Sequence, residues 1–173
     1  KDDLFFFVLI DQYHLLINIG SRDFQLLVVE PNHNKVLLLE DFVLPGLTST
    51  EELLQILDEL FDSHPFLKAG FWRKIKVSVK NQKFVQVPEV LFDEGCITDY
   101  LKFNASKEEC MATMNRKSKA MTVFAVNTAL KNWLNNIYPN NKPTFTHQSA
   151  ALIEGTMHSA AGKNDRPLYV YVD

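Results

Sequence analysis

LLINIGSRDFQLLVV, Leu15 to Val29, is an apolar run, a break at Gly20-Ser21-Arg22-Asp23 and a second apolar run. Gly, Ser and Asp are turn formers, so the stretch predicts two antiparallel strands joined just after Gly20. The same grammar continues downstream. Pro31-Asn32-His33-Asn34 is a second cluster of turn formers, and Lys35 to Leu44 a third apolar run. Three meandering strands are therefore expected over Tyr13–Ile19, Phe24–Val29 and Lys35–Leu44. The runs QLLVVE and VLLL are nearly continuous rather than alternating, which predicts a sheet covered on both faces.

The covering helices can be read from their caps. Ser49 and Glu52 stand at capping-box spacing, and Leu53, Ile56, Leu57, Leu60 and Phe61 then share one helical face until Pro65. Ile75 to Lys80 alternates strictly, the signature of a strand with one solvated face. Lys83 to Val87 reads as a short strand and Asp93 to Phe103 as a short helix. Asn104 to Lys119 is polar with few apolar anchors and is expected to be a loop or an exposed helical excursion. Met121 to Val126 reads as a strand. Asn127 then caps a helix carrying Leu130, Trp133, Leu134, Ile137 and Tyr138 up to Pro139. A strand at Thr144–Thr146, a helix over Gln148–His158 and a closing strand, Leu168 to Asp173, complete the chain.

Three meandering strands, a helix, a strand and further strand–helix alternations form the ribonuclease-H-like order of elements. The expected fold class is α/β. Residues 1–166 make one lobe, with 104–119 as its polar excursion, and residues 167–173 supply the first strand of a second, truncated lobe.

Composition narrows the function classes. At 173 residues the chain can bury a core without disulfide or metal. A formal charge of -3 lacks the basic excess of nucleic-acid binders. Cys96 and Cys110 form no CxxC pair and have no histidine at ligand spacing, so they read as reduced thiols. FFFVLI, Phe5 to Ile10, falls far short of the ~20 residues of a membrane helix, and the acids at Asp2 and Asp3 do not suit a signal peptide. A cytoplasmic location without a membrane span is expected. The sequence begins at Lys1 rather than Met, which leaves room for a trimmed leader.

Several chemistries find no support. A two-metal nuclease needs converging carboxylates around ions ~4 Å apart, and the first strand offers Asn18 while the fourth ends in Lys80. Gly155 to Asn164, GTMHSAAGKN, has the wrong glycine spacing for a phosphate-binding P-loop and ends in Asn where Ser or Thr is needed. No HExxH or Gly-x-Ser-x-Gly pattern occurs. Lys68 to Phe84 interleaves basic residues with Phe71, Trp72 and Phe84, as a nucleic-acid groove would. A soluble strand with outward lysines explains the same pattern, and that reading is preferred.

At this point a resemblance adds to the residues. LLINIGSRDFQLLVV is similar to the first phosphate loop of the actin-like ATPase superfamily, which pairs apolar residues with Asp-x-Gly-Ser/Thr and a second strand. Ile17, Gly20 and Ser21 match, and Asn18 departs. The whole chain from about Tyr13 resembles a bacterial family of unknown function with an actin-like ATPase fold, through YHLLINIG, NKVLLLEDF, KFVQVPEVLFDE and THQSAALIEG. The resemblance implies phosphate contacts at Asn18, Ile19, Gly20 and Ser21, with Asp173 opening a second loop, and ATP with Mg²⁺ as the cofactor. No catalytic residue and no protein metal ligand is implied. Asn18 lacks the charge that organises water around Mg²⁺. The expected function is accordingly a degenerate, non-catalytic module acting through a protein partner, as in membrane-associated assemblies of the superfamily. The alternative is an ATP-binding protein or ATPase, and a nucleic-acid-binding module is less favoured.

Overall fold

The structure is a computed structural model that describes residues 7–103, 108–161 and 169–170. The expected closing strand, and Asp173 with it, lies largely outside the described residues. Strands β1 (His14–Ile19), β2 (Asp23–Glu30) and β3 (Lys35–Val43) form the expected meander. Helix α1 (Thr50–Ser63) then crosses to β4 (Lys74–Val79), which pairs parallel to β1 with Ile19 level with Val79. Further along, α2 (Thr128–Ile137), β8 (Thr144–His147) and α3 (Gln148–Ala160) follow, and β8 pairs parallel to β4. The main sheet has the order β3-β2-β1-β4-β8. Crossover helices are what parallel neighbours require, and α1 and α2 supply them.

Burial explains the two faces of this sheet. Leu15, Ile17 and Ile19 of β1, Phe24, Leu26 and Val28 of β2, and Ile75, Val77 and Val79 of β4 all point into one core with Leu57 and Phe61 of α1 and Leu130 and Leu134 of α2. The Phe61 and Trp133 rings meet edge to face at 4.9 Å, joining the two helices over the sheet. The opposite face carries Leu16, Asn18, Gln25, Lys76 and Ser78, with α3 and the strand at 109–115 along its flank. Near the far end of β2, a register shift between Val28 and Val29 puts the consecutive Leu37 and Leu38 of β3 into the core.

Between β4 and α2 the chain builds a second sheet of order β5-β7-β6, from β5 (Phe84–Pro88), β6 (Glu109–Asn115) and β7 (Ala120–Val126). At residues 109–115 this corrects the expectation of a loop or helical excursion over 104–119, of which 104–107 lie outside the described residues. β6 is half-buried along almost its whole length, so no alternation betrays it, and it is held by antiparallel pairing with β7 from Glu109↔Val126 to Asn115↔Ala120. The expected helix at Asp93–Phe103 is also replaced, by short 3-10 turns at Glu94–Cys96 and Asp99–Leu101 that follow another at Glu89–Leu91. The cause is local. The Asp93 carboxylate accepts from the Gly95 N–H at 2.8 Å, and the Tyr100 hydroxyl accepts from the Asp93 N–H at 2.9 Å while donating to the Leu91 carbonyl at 3.1 Å.

His147 fastens this insert to the main sheet. It caps α3 by accepting the Ser149 N–H at 3.1 Å on Nδ1, and its Nε2–H donates to the Asn81 carbonyl at 3.0 Å. Asn81, at the exit from β4, donates in turn to the Ala125 carbonyl at 3.0 Å. The imidazole stacks on Phe84 at 4.3 Å. Burial holds its pKa below the ordinary histidine range, so the ring is neutral and its tautomer follows from these two bonds.

Candidate functional site

The carboxyl ends of parallel strands are where open α/β sheets place ligands, because the loops leaving adjacent strands diverge there. In this chain the ends of β1 and β4 open onto a cleft of about 340 Å³. Gly20 and Ser21 line it from the β1–β2 turn, and Lys80, Asn81 and Lys83 from the exit of β4. Thr48, Ser49 and Thr50 line it from the start of α1, and Asn127 from the start of α2.

Both helix starts are built as the residues predict. Glu52 N–H donates to Ser49 Oγ at 3.2 Å, and Glu52 Oε2 accepts the Thr48 N–H at 2.8 Å. Those bonds from Thr48 hold the Glu52 carboxyl below its ordinary pKa. Asn127 Oδ1 accepts from the N–H groups of Ala129 and Leu130 at 2.9 and 3.1 Å, while its Nδ2 donates to Thr50 Oγ1 at 3.0 Å. The two caps are thus tied to each other at the rim of one cleft, and each helix turns the positive end of its dipole toward it.

The turn itself is filled by the protein's own charges. Gly20 N–H donates to the Asp23 carbonyl at 2.9 Å, closing the hairpin. The Asp23 carboxylate then folds back over Gly20, and a methyl group at Gly20 would lie 2.3 Å from Asp23 Oδ1 and 3.2 Å from Lys80 Cδ. Lys80 Nζ donates to Asp23 Oδ1 at 3.3 Å. Nearby, Lys83 pairs with Glu108 at 2.8 Å.

Of the residues that the sequence singled out, Ile19, Gly20 and Ser21 come together in this cleft, whereas Asn18 does not join them. Its side chain lies on the other face of the sheet, donating from Nδ2 to Gln25 Oε1 at 3.3 Å and lining a groove of about 830 Å³ with Ser78 and Thr146. Asp173 lies outside the described residues. Asp23 and Lys80 were missed as partners of the turn, and Lys83 and Glu108 as an ion pair lining the same cleft. Asp23 had a signal in lying three residues beyond Gly20, while Lys80 and Glu108 arrive only by tertiary pairing.

The fit to a magnesium nucleotide is poor by this geometry. A phosphate approaching Gly20 meets the Asp23 carboxylate, and the Gly20 N–H is spent on the hairpin. Among the described residues no group of three His, Cys, Asp or Glu side chains could hold a metal ion. Two of the three aromatics of the basic stretch are taken up inside the fold, while Phe71 stays 73% exposed. Trp72 is buried in the core, Phe84 stacks on His147, and Lys68 pairs with Asp62. Gly155 lies inside α3, so GTMHSAAGKN begins in a helix rather than in a strand-to-helix loop.

Residues 6–173 match the family described as "Protein of unknown function (DUF3822)". The chain belongs to this family. A solved structure from Bacteroides thetaiotaomicron, described as a protein with actin-like ATPase fold and unknown function, superposes with a TM-score of 0.80 at 21% identity, over 93% of this chain and 62% of that one. The DUF3822 chain therefore has an actin-like ATPase fold, as its resemblance to that superfamily implied, and spans 62% of the length of that neighbour. A second solved structure, the cytoplasmic domain of EpsL, an inner membrane component of the type II secretion system of Vibrio cholerae, matches with a TM-score of 0.39 at 15% identity, over 76% of this chain and 53% of that one. No curated protein matches the chain. Among its described residues no helix is long and apolar enough to cross a membrane.

Proposed function

We propose that this DUF3822 chain is a non-catalytic protein-interaction module on an actin-like ATPase fold, working in the cytoplasm. One observation carries the reading: the Asp23 carboxylate, held by Lys80, lies over Gly20 where a bound phosphate would make its closest backbone approach. A carboxylate there repels a phosphate and offers no donor to it. Asn18 adds to this, because the residue aligned with the superfamily's aspartate carries no charge and faces the other side of the sheet. Residues 1–166 act as the first lobe in this reading, and residues 167–173 lead into a second.

A second reading has its own observation. Lys80, Lys83 and the starts of α1 and α2 line one cleft, which is a favourable setting for an anion, and ATP is the anion that the fold brings to mind. Calorimetric titration with ATP, with and without Mg²⁺, separates the two. The module reading expects no heat at millimolar ATP. Binding that tightens with Mg²⁺ and is lost in both Gly20→Leu and Lys83→Ala would overturn it in favour of the nucleotide.

A further inference from the structure

The small sheet presents a surface that its own core does not need. Val87, Leu101, Val123 and Ala125 form the buried cluster of the insert. Outside that cluster, the segment from Glu89 to Phe103 exposes Val90 at 90%, Leu91 at 68% and Phe103 at 90%. Large apolar side chains at that exposure add little to folding, and three of them on one short segment make it a candidate contact surface. The segment is also fixed in shape. The Tyr100 hydroxyl bridges the Leu91 carbonyl and the Asp93 N–H, Phe92 stacks on Tyr100 at 5.8 Å, and Leu101 anchors the last turn in the cluster. The turn carrying Leu91 is thereby held against the turn that leads into Phe103.

Charge gives this surface its selectivity. Between Glu89 and Phe103 stand four acids, Glu89, Asp93, Glu94 and Asp99, against one base, Lys102, and all five are exposed, with Lys119, whose carbonyl accepts the Glu89 N–H at 2.9 Å, a second exposed base beside the segment. Asp93 is engaged with Gly95, and Lys102 lies over the Phe103 ring at 5.4 Å. Among the described residues Glu89, Glu94 and Asp99 have no ion-pair partner. The excess of acids along the segment disfavours anionic partners, including nucleic acids and acidic lipid surfaces, and favours apolar groups flanked by lysine or arginine. We propose that the Glu89–Phe103 segment is the docking surface for a basic amphipathic segment of a partner protein, with Leu91 and Phe103 as its apolar anchors. This rests on the module reading above and supplies the chemistry of its partner.

The test uses the whole chain and a labelled, helical Lys/Leu peptide, its scrambled isomer with no apolar face, and a Glu/Leu peptide of the same pattern, followed by fluorescence anisotropy. The Lys/Leu peptide is expected to bind about tenfold more tightly than its scrambled isomer and to lose about tenfold in Leu91→Ser and again in Phe103→Ser. Both variants are expected to keep the wild-type melting transition, since both side chains are exposed. Equal binding of ordered and scrambled peptides, tighter binding of the Glu/Leu peptide, or indifference to both substitutions would overturn the proposal. A self-associated protein that becomes monomeric in the same variants would assign the ridge to a second copy and also overturn it. The outcome is separable from the module reading: the peptide assay can fail while ATP gives no heat, and Mg²⁺-dependent ATP binding can appear while the peptide still docks.

Discussion

Asp23 and Lys80 meet across the Gly20 turn, with Nζ 3.3 Å from Oδ1 and both side chains largely shielded from solvent. Lys80 is delivered there by backbone pairing, since its N–H donates to the Ile19 carbonyl at 2.8 Å, one residue before Gly20. The pair is thus built into the junction of β1 and β4.

Gly20→Ala tests how firmly the carboxylate is held. The new methyl has no room beside Asp23 Oδ1, so the carboxylate must leave Lys80. The expected loss is about 1 kcal/mol, read from denaturant midpoints, and most of it should vanish when the change is made in an Asp23→Ala background. Equal costs in the two backgrounds would mean that the hairpin backbone, and not the carboxylate, resists the methyl.

Asn18→Asp restores the residue type that the superfamily's loop carries, yet it is expected to confer no Mg²⁺-dependent ATP binding. The side chain lies in a different cavity from Gly20, Ser21 and Lys80. It gives up the donor to Gln25 and places a charge on a half-buried face, where Asn18 Oδ1 and Ser78 Oγ are already without partners. Thermal melting should show a loss of about 1–3 kcal/mol. A gain of ATP binding would show that the loop needs only its charge.

His147 predicts a pH dependence. Its folded pKa is depressed, so the folded state binds fewer protons than the unfolded chain, whose histidine titrates near about 6.5. The contribution is therefore fully present above about pH 6.5 and is lost as pH falls through the depressed folded value. Protonation also removes the Nδ1 acceptor that caps α3. His14 shifts in the same direction, by burial and by Arg73, Lys74 and Lys76, so the variant matters more than the bare slope. His147→Gln should be less stable at neutral pH and should flatten the fall in melting temperature on acidification. An unchanged slope would place the dependence on His14.

Leu101→Ala should loosen the insert and spare the main sheet. The insert's buried cluster is small, so one cavity of this kind, ~2–4 kcal/mol in larger cores, removes much of its support. Hydrogen exchange is expected to quicken across β5, β6 and β7 while β1 and β2 keep their protection. Uniform quickening would mean that both sheets unfold as one unit.

Much of this architecture was legible one element at a time. The Ser49–Glu52 spacing and Asn127 announced their helices because caps satisfy neighbouring N–H groups, a matter of three residues or fewer. Ile75 to Lys80 announced β4 because one face is buried and the other wet. β6 gave no such sign, since both its faces are half-buried and its order comes from β7. Residues 93–103 carried enough apolar character to suggest a helix, but Asp93 and Tyr100 bind the backbone into tighter turns.

By itself the sequence determined the opening three-strand meander, the capped helices α1 and α2, β4, the turn at Gly20 and the missing charge at Asn18, because periodicity, capping and turn chemistry act over a few residues. Only the tertiary structure decided which side of the sheet Asn18 faces, that Lys80 crosses 57 residues to hold Asp23 over Gly20, and that two helix caps share one cleft. Those relations arise from the parallel pairing of β1 with β4 and from the packing of α1 against α2. Such contacts join distant residues through backbone geometry and leave no local pattern in the chain.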